Sequence, residues 1–169
     1  SWLTPMTKEL TFSSFCFTEP EGSTNLGTRP ASTIVKETDS DFVISGDKWT
    51  ISNGSVASVY FVFARFENEE NGMSCFIIPR SAEGVSVSEP FKKMGQRAAD
   101  TAVVHFNNVH IPKENMIGRK GQGAQIAIKS LVSSRIGIGA MALGACQRAR
   151  DLAKKHCHTR TNGHGQAII

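Results

Sequence analysis

The chain has 169 residues, 40% of them hydrophobic and 20% charged, with a formal net charge of +4. This is a globular composition rather than a disordered one, and its length suits one domain or one domain plus part of another. The mild positive charge could help hold a phosphorylated ligand but is too small to imply nucleic acid.

The first two-thirds read as β-structure. Ser32 to Lys36 and Phe42 to Ile44 are short β-branched or aromatic runs, with Asp39-Ser40-Asp41 as the turn between them. Ser45-Gly46-Asp47 is expected to form the next turn. Val59 to Ala64 is a continuous apolar run, the pattern of a strand buried on both faces. Glu67 to Gly72 closes a hairpin into Ser74 to Ile78, which Pro79 ends. Val85 and Val87 alternate with serines. Thr101 to Phe106 and Val109 to Ile111 supply two further strands. Strands at this spacing with no helix between them indicate an antiparallel sandwich or barrel.

The pattern changes at Gly118. A helix is expected from about Ala124 to Thr159, roughly 50 Å long at 1.5 Å per residue. Ala124, Ile128, Leu131, Arg135, Ile138, Ala142, Ala145, Ala149 and Leu152 alternate spacings of four and three and so share one face. A β-domain of this size could not bury that length, so the helix needs partners from further helices or another subunit. Arg135 lies within the apolar seam, where a charge requires an ion pair or an anionic ligand. Gly137-Ile138-Gly139 and Gly144 imitate a dinucleotide fingerprint. They fall mid-helix with the third glycine misplaced, and read as close-packing positions. The fold class is thus α+β, with a domain at 1–118 (1–12 a linker from a missing helical domain) and the truncated start of a helical domain at 119–169.

Cys16, Cys75, Cys146 and Cys157 contain no C-x-x-C pair and are too sparse for a disulfide framework, as suits a reducing compartment. His156, Cys157 and His158 do not share a helix face, so no metal site is expected. No apolar run approaches the ~20 residues of a bilayer span. The start Ser1-Trp2-Leu3-Thr4-Pro5 lacks a signal-peptide profile and reads as a chain interrupted within a longer protein. Asn53-Gly54-Ser55 fits a glycosylation sequon, but the cysteine usage argues against secretion.

Four segments in order resemble the acyl-CoA dehydrogenase family. Phe15-Cys16-Phe17-Thr18-Glu19-Pro20 is similar to its strand and loop ending in T-E-P. In Glu21-Gly22-Ser23-Thr24-Asn25, which follows, either Gly22-Ser23 or Ser23-Thr24 corresponds to the family's glycine-serine. Gly46 to Gly54 resembles G-x-K-x-W-I-T-N-G, with Thr50 at the family's tryptophan and Trp49 its neighbour. Lys93 to Thr101 resembles K-M-G-x-R-x-S-D-T and runs on through Val109-His110-Ile111-Pro112 to Asn115-Met116-Ile117-Gly118. Leu131 to Gly144 resembles the opening helix of the C-terminal domain, arginine included.

The resemblance spans roughly residues 10–169. It implies a middle domain of two orthogonal β-sheets, FAD as cofactor and acyl-CoA thioesters as substrates. It further implies dimers or tetramers packed through the C-terminal helices, electron-transfer flavoprotein as acceptor, and a mitochondrial-matrix location in a eukaryote or a cytoplasmic one in a bacterium. By resemblance, Phe15, Cys16, Phe17, Thr18, Ser23, Thr24, Thr50, Ile51, Ser52 and Arg160 would bind the cofactor, and Ser23, Thr24, Ser134 and Arg135 the substrate. Arg160 resembles an arginine that reaches FAD in a neighbouring subunit; the alternative is a solvated basic helix end. No catalytic base is expected here. The family's usual glutamate falls beyond residue 169, and Ser134 stands where a minority keep theirs; should another carboxylate serve, Glu19 and Glu21 are the candidates. The expected function is α,β-dehydrogenation by the full-length protein, this stretch being inactive alone. The alternatives are an acyl-CoA oxidase or flavin monooxygenase of the same fold, or a non-enzymatic β-module.

Overall fold

The computed structural model describes residues 2–22, 31–69 and 72–168. A short helix α1 (Leu3–Lys8) precedes β1 (Ser13–Cys16), β2 (Ile34–Glu37), β3 (Asp41–Ser52), β4 (Val59–Phe66), β5 (Ser74–Pro79), β6 (Val85–Val87), β7 (Thr101–Pro112) and β8 (Met116–Ile117). The long helix α2 (Gly123–Thr159) follows. Two compact units result, residues 1–126 and 127–169.

In the first unit the apolar run becomes its central strand. One edge of β4 pairs antiparallel with β5 over Val59 to Ala64. Its other edge is shared, pairing in parallel with β1 over Val59 to Val62 and with β2 at Arg65 and Phe66. A strand flanked on both sides and forked between two partners has no solvent edge, which explains why six of its eight residues are buried. The pairing path β6-β7-β3-β2-β4-β5-β8 then brings its two halves face to face. Phe42 of β3 packs edge-on against Phe76 of β5 at 5.5 Å, and Tyr60 of β4 against Phe106 of β7 at 6.1 Å. β3 is not a neighbour of β5 in the sheet, nor β4 of β7, so these side chains meet across a core. The expected sandwich is present, mainly antiparallel with two parallel pairings.

Two expected breaks in the chain lie inside strands. Ser45-Gly46-Asp47 is not a turn, because β3 runs unbroken from Asp41 to Ser52. Likewise Asn107-Asn108 does not end a strand, because β7 runs from Thr101 to Pro112. Pairing steps from Ile44–Val109 to Gly46–Phe106, so Asn107 and Asn108 together oppose Ser45 in a bulge. Asn108 takes the left-handed φ of 50° that the bulge needs. Gly46 has φ 147°, and a Cβ there would lie 2.7 Å from the backbone of Thr33, the residue before β2. The signals that suggested turns are the signals of a bulge and a close backbone approach.

The helix, which makes up most of the second unit, extends from Gly123 to Thr159, close to the expected bounds, or about 55 Å. Ile128, Leu131, Ile138 and Leu152 of the seam are exposed, and so is Arg135. By length and composition α2 is apolar enough to cross a membrane, against the expectation that nothing in the chain is. Its Ile, Leu, Val, Met and Ala residues supply that apolar content, while Lys129, Ser130, Ser133, Ser134 and Arg135 interrupt it, so no single unbroken run is present. Past the helix, Thr161 bridges Ala167, and the Ile168 N–H donates to the Cys157 and Arg160 carbonyls.

Candidate functional site

A second bulge shapes the edge on which the sequence placed most candidate residues. Between Lys48–Val104 and Ile51–Ala102, Trp49 and Thr50 of β3 together oppose Val103 of β7. Thr50 accommodates this with φ 52°, its hydroxyl donating to the Trp49 carbonyl at 2.8 Å. Strict alternation would turn one of these residues inward, whereas the bulge leaves both exposed between buried Lys48 and Ile51. Trp49 is 44% exposed, with its ring 6.0 Å from that of Phe91. Phe91 also lines an open cleft of about 630 Å³ with Lys92, Lys93, Met94 and Arg97.

The exit of β1 joins this edge. The Trp49 N–H donates to the Thr18 carbonyl at 2.8 Å, and the Ser14 hydroxyl to the Ser52 carbonyl at 2.8 Å. Phe15 and Phe17 stack at 5.8 Å and both pack on Phe63. Thr18, Thr50 and Ser52 are exposed on the joined segments. The structure thus gathers Phe15, Phe17, Thr18, Thr50 and Ser52 on these joined segments. It turns the Cys16 and Ile51 side chains into the core, leaving only their main chain for a ligand. Burial, partly opposed by Lys48, pushes the Cys16 thiol up to about 12, so it stays protonated at neutral pH. Ser23 and Thr24 lie outside the described residues.

The turn after β3 is held from a distance. Asp100 accepts the Ser55 N–H at 2.7 Å and its hydroxyl at 2.8 Å, while the Asp100 carbonyl accepts the Asn53 N–H at 3.1 Å. Tyr60 donates its hydroxyl to the Gly54 carbonyl at 2.8 Å. Lys93 is committed to Thr101 Oγ1 at 2.9 Å and to the Ala99 carbonyl. Two of the four segments, Gly46 to Gly54 and Lys93 to Thr101, therefore meet at one turn.

Behind the edge sits an ion pair that the sequence reading missed. Lys48 Nζ lies 2.7 Å from Glu19 Oε1, with side-chain exposures of 0% and 6%. Burial alone would raise the Glu19 carboxyl. The Lys48 charge and hydrogen bonds from Lys48, Thr33 and Ser32 outweigh it and hold the group at about 2. Its four acceptor positions are filled by Lys48, the Ser32 N–H and hydroxyl, and the Thr33 N–H. Glu19 is therefore not free to take a proton from a substrate, which removes it as a candidate base; Glu21 is exposed. With a turn expected at Ser45-Gly46-Asp47, no local signal marked Lys48 as buried; its burial is what requires a carboxylate.

On α2, Ser134 donates its hydroxyl to the Leu131 carbonyl at 2.9 Å, a local bond that leaves it no basic role. Arg135 forms no ion pair among the described residues. Arg160 is exposed beyond the helix end, its N–H donating to the His156 carbonyl at 2.8 Å. Among the described residues no group of three His, Cys, Asp or Glu side chains could hold a metal.

Residues 14–109 match the model for the acyl-CoA dehydrogenase middle domain and residues 121–169 that for the C-terminal domain. Acryloyl-CoA reductase (NADH) of Anaerotignum propionicum is 33% identical over 95% of the chain and 41% of its own length. The mitochondrial short-chain specific acyl-CoA dehydrogenase of Rattus norvegicus is 35% identical over 94% of the chain and 39% of its length. The structure of an acyl-CoA dehydrogenase complexed with FAD from Bacillus anthracis superposes with a TM-score of 0.82 at 29% identity, covering 92% of the chain and 26% of that structure. The chain thus spans about two-fifths of the length of the curated relatives it matches. With two successive domain models matched in order on a bulged β-sandwich followed by a long helix, this chain belongs to the acyl-CoA dehydrogenase family.

Proposed function

We propose that this chain forms one wall of the active site of an FAD-dependent acyl-CoA dehydrogenase. The observation that carries this reading is the edge where the β1 exit meets the bulge of β3. It joins exposed hydroxyls at Thr18, Thr50 and Ser52 to an exposed indole at Trp49. A planar heteroaromatic ring with polar edges fits such a surface, since apolar faces need an aromatic or aliphatic platform and ring heteroatoms need donors. When bound there, FAD would supply the two-electron acceptor for the thioester. Thr18, Thr50 and Ser52 would orient the ring through hydroxyl and backbone groups, and Trp49 would pack beside it although it stands one position before the family's tryptophan.

In this reading the chain supplies platform and orientation rather than proton abstraction. With Glu19 paired and Ser134 bonded within its helix, the base that removes the α-proton of the acyl group belongs elsewhere. Arg135, a cation exposed in an apolar helical seam, would meet the substrate at the site's rim. Arg160 would reach the cofactor of a neighbouring subunit. The uncovered α2 seam is read as a packing surface for other helices in a dimer or tetramer, rather than as a membrane span. Electron-transfer flavoprotein is the proposed acceptor, in a mitochondrial matrix or a bacterial cytoplasm. The test is the visible spectrum of the gene product purified at its natural length. Stoichiometric oxidised flavin, identified as FAD on release, is expected. A colourless protein that takes up no FAD on titration overturns the reading.

A further inference from the structure

The buried Glu19–Lys48 pair reaches further than a core contact does. Glu19 Oε2 accepts the Ser32 N–H at 2.6 Å and the Ser32 hydroxyl at 2.7 Å, while Oε1 accepts the Thr33 N–H at 2.9 Å. One carboxylate therefore joins the residue before the 20–31 segment to the two residues after it. Lys48 holds that carboxylate at 2.7 Å and also donates to the carbonyls of Phe63 at 2.5 Å and Phe17 at 3.4 Å. The next residue of β3, Trp49, binds the Thr18 carbonyl at 2.8 Å. Both ends of the segment, the β1 exit and the bulged edge thus converge on one pair of side chains.

We propose that Glu19 and Lys48 are positioning residues: Glu19 closes the base of the 20–31 segment, and Lys48 fastens that closure to β3, so that Thr18 keeps one placement beside Trp49. The proposal rests on the reading of this edge as the cofactor wall. Cohesion alone does not call for such a pair, because buried ion pairs can be replaced by apolar residues with little loss of stability, and sometimes with a gain. An apolar pair cannot accept two backbone N–H groups and a hydroxyl from the far side of a loop. Only an acceptor with several lone pairs can, and burying it requires a cation at its back.

The test compares the natural-length gene product with its Glu19→Met/Lys48→Met double variant, and with Ser32→Ala should the double variant not fold. Three quantities are measured: segment-resolved amide hydrogen exchange, melting temperature and FAD affinity. In the double variant, exchange at the Ser32, Thr33 and Trp49 amides should quicken at least tenfold, with β4 and β5 unchanged and the melting temperature nearly retained. FAD affinity should fall by about tenfold or more. Ser32→Ala loses one hydrogen bond to a charged group, and about tenfold in both exchange and affinity is expected. Unchanged exchange at those three amides overturns the clamp. Uniform quickening that includes β4 and β5 assigns the pair to general stability. A loosened segment with wild-type FAD affinity means the clamp positions nothing. Wild-type protein that takes up no FAD refutes the flavoprotein reading instead, while exchange still decides the clamp.

Discussion

Replacing Glu19 by glutamine keeps the side chain's shape and removes its charge, which isolates what the charge does. At neutral pH the change leaves Lys48 buried opposite a neutral amide, and breaking a buried pair in this way costs about 3–5 kcal/mol. The carboxyl's own titration gives a second route to the magnitude. Moved from its ordinary 4.5 to about 2, it contributes roughly 3 kcal/mol to folding. The sign follows from the direction. Because the folded value is depressed, the stabilisation is complete above pH 4.5 and is lost as pH falls through about 2. Urea denaturation of wild type and Glu19→Gln at several pH values measures the gap directly. Other titrating groups, such as Asp41, are common to both proteins and largely cancel. The gap should be widest at neutral pH and narrow steadily between pH 4.5 and 2. A gap that is constant across that range, or below about 1 kcal/mol at pH 7, refutes the buried-pair account.

Gly46→Ala should lower stability by about 1–3 kcal/mol, since the residue has φ 147° and a Cβ there would meet the Thr33 backbone at 2.7 Å; thermal melting checks it. Arg135→Ala in the natural-length protein should reduce turnover far more than melting temperature, because the side chain is exposed and makes no ion pair among the described residues; the reverse pattern would assign it to folding. The 169-residue chain, mixed anaerobically with FAD and acyl-CoA thioesters, should leave the flavin oxidised, since general-base help is worth ~10²–10⁴-fold and Glu19 and Ser134 are both committed to hydrogen bonds. Rapid bleaching would point to a carboxylate such as Glu21.

Strand β4 was legible because its burial on both faces is written as an unbroken apolar run, and α2 because its seam repeats at helical spacing over many turns. The long strands β3 and β7 were not read whole. Gly46 and Asn107-Asn108 carry the residue types of turns, and a local reading has no means of knowing that Thr33 packs where a Cβ would stand or that Ser45 faces two asparagines. The same limit hid the site's aromatic. Alternation assigns Trp49 and Thr50 to opposite faces, and only the bulge against Val103 shows that both are exposed. Glu19 and Lys48 lie 29 residues apart. With a turn expected at Ser45-Gly46-Asp47, nothing local marked Lys48 as buried, and its partner was recognisable only once β1 and β3 were side by side.

The central claim is that this edge presents FAD to an acyl-CoA thioester. Its most direct test is anaerobic mixing of the FAD-loaded, natural-length gene product with a series of acyl-CoA thioesters, followed through the oxidised-flavin absorbance. The account predicts rapid loss of that absorbance with at least one thioester, and marked slowing in the Glu19→Met/Lys48→Met variant. Flavin that remains oxidised with every thioester, in protein that retains its FAD, would contradict it.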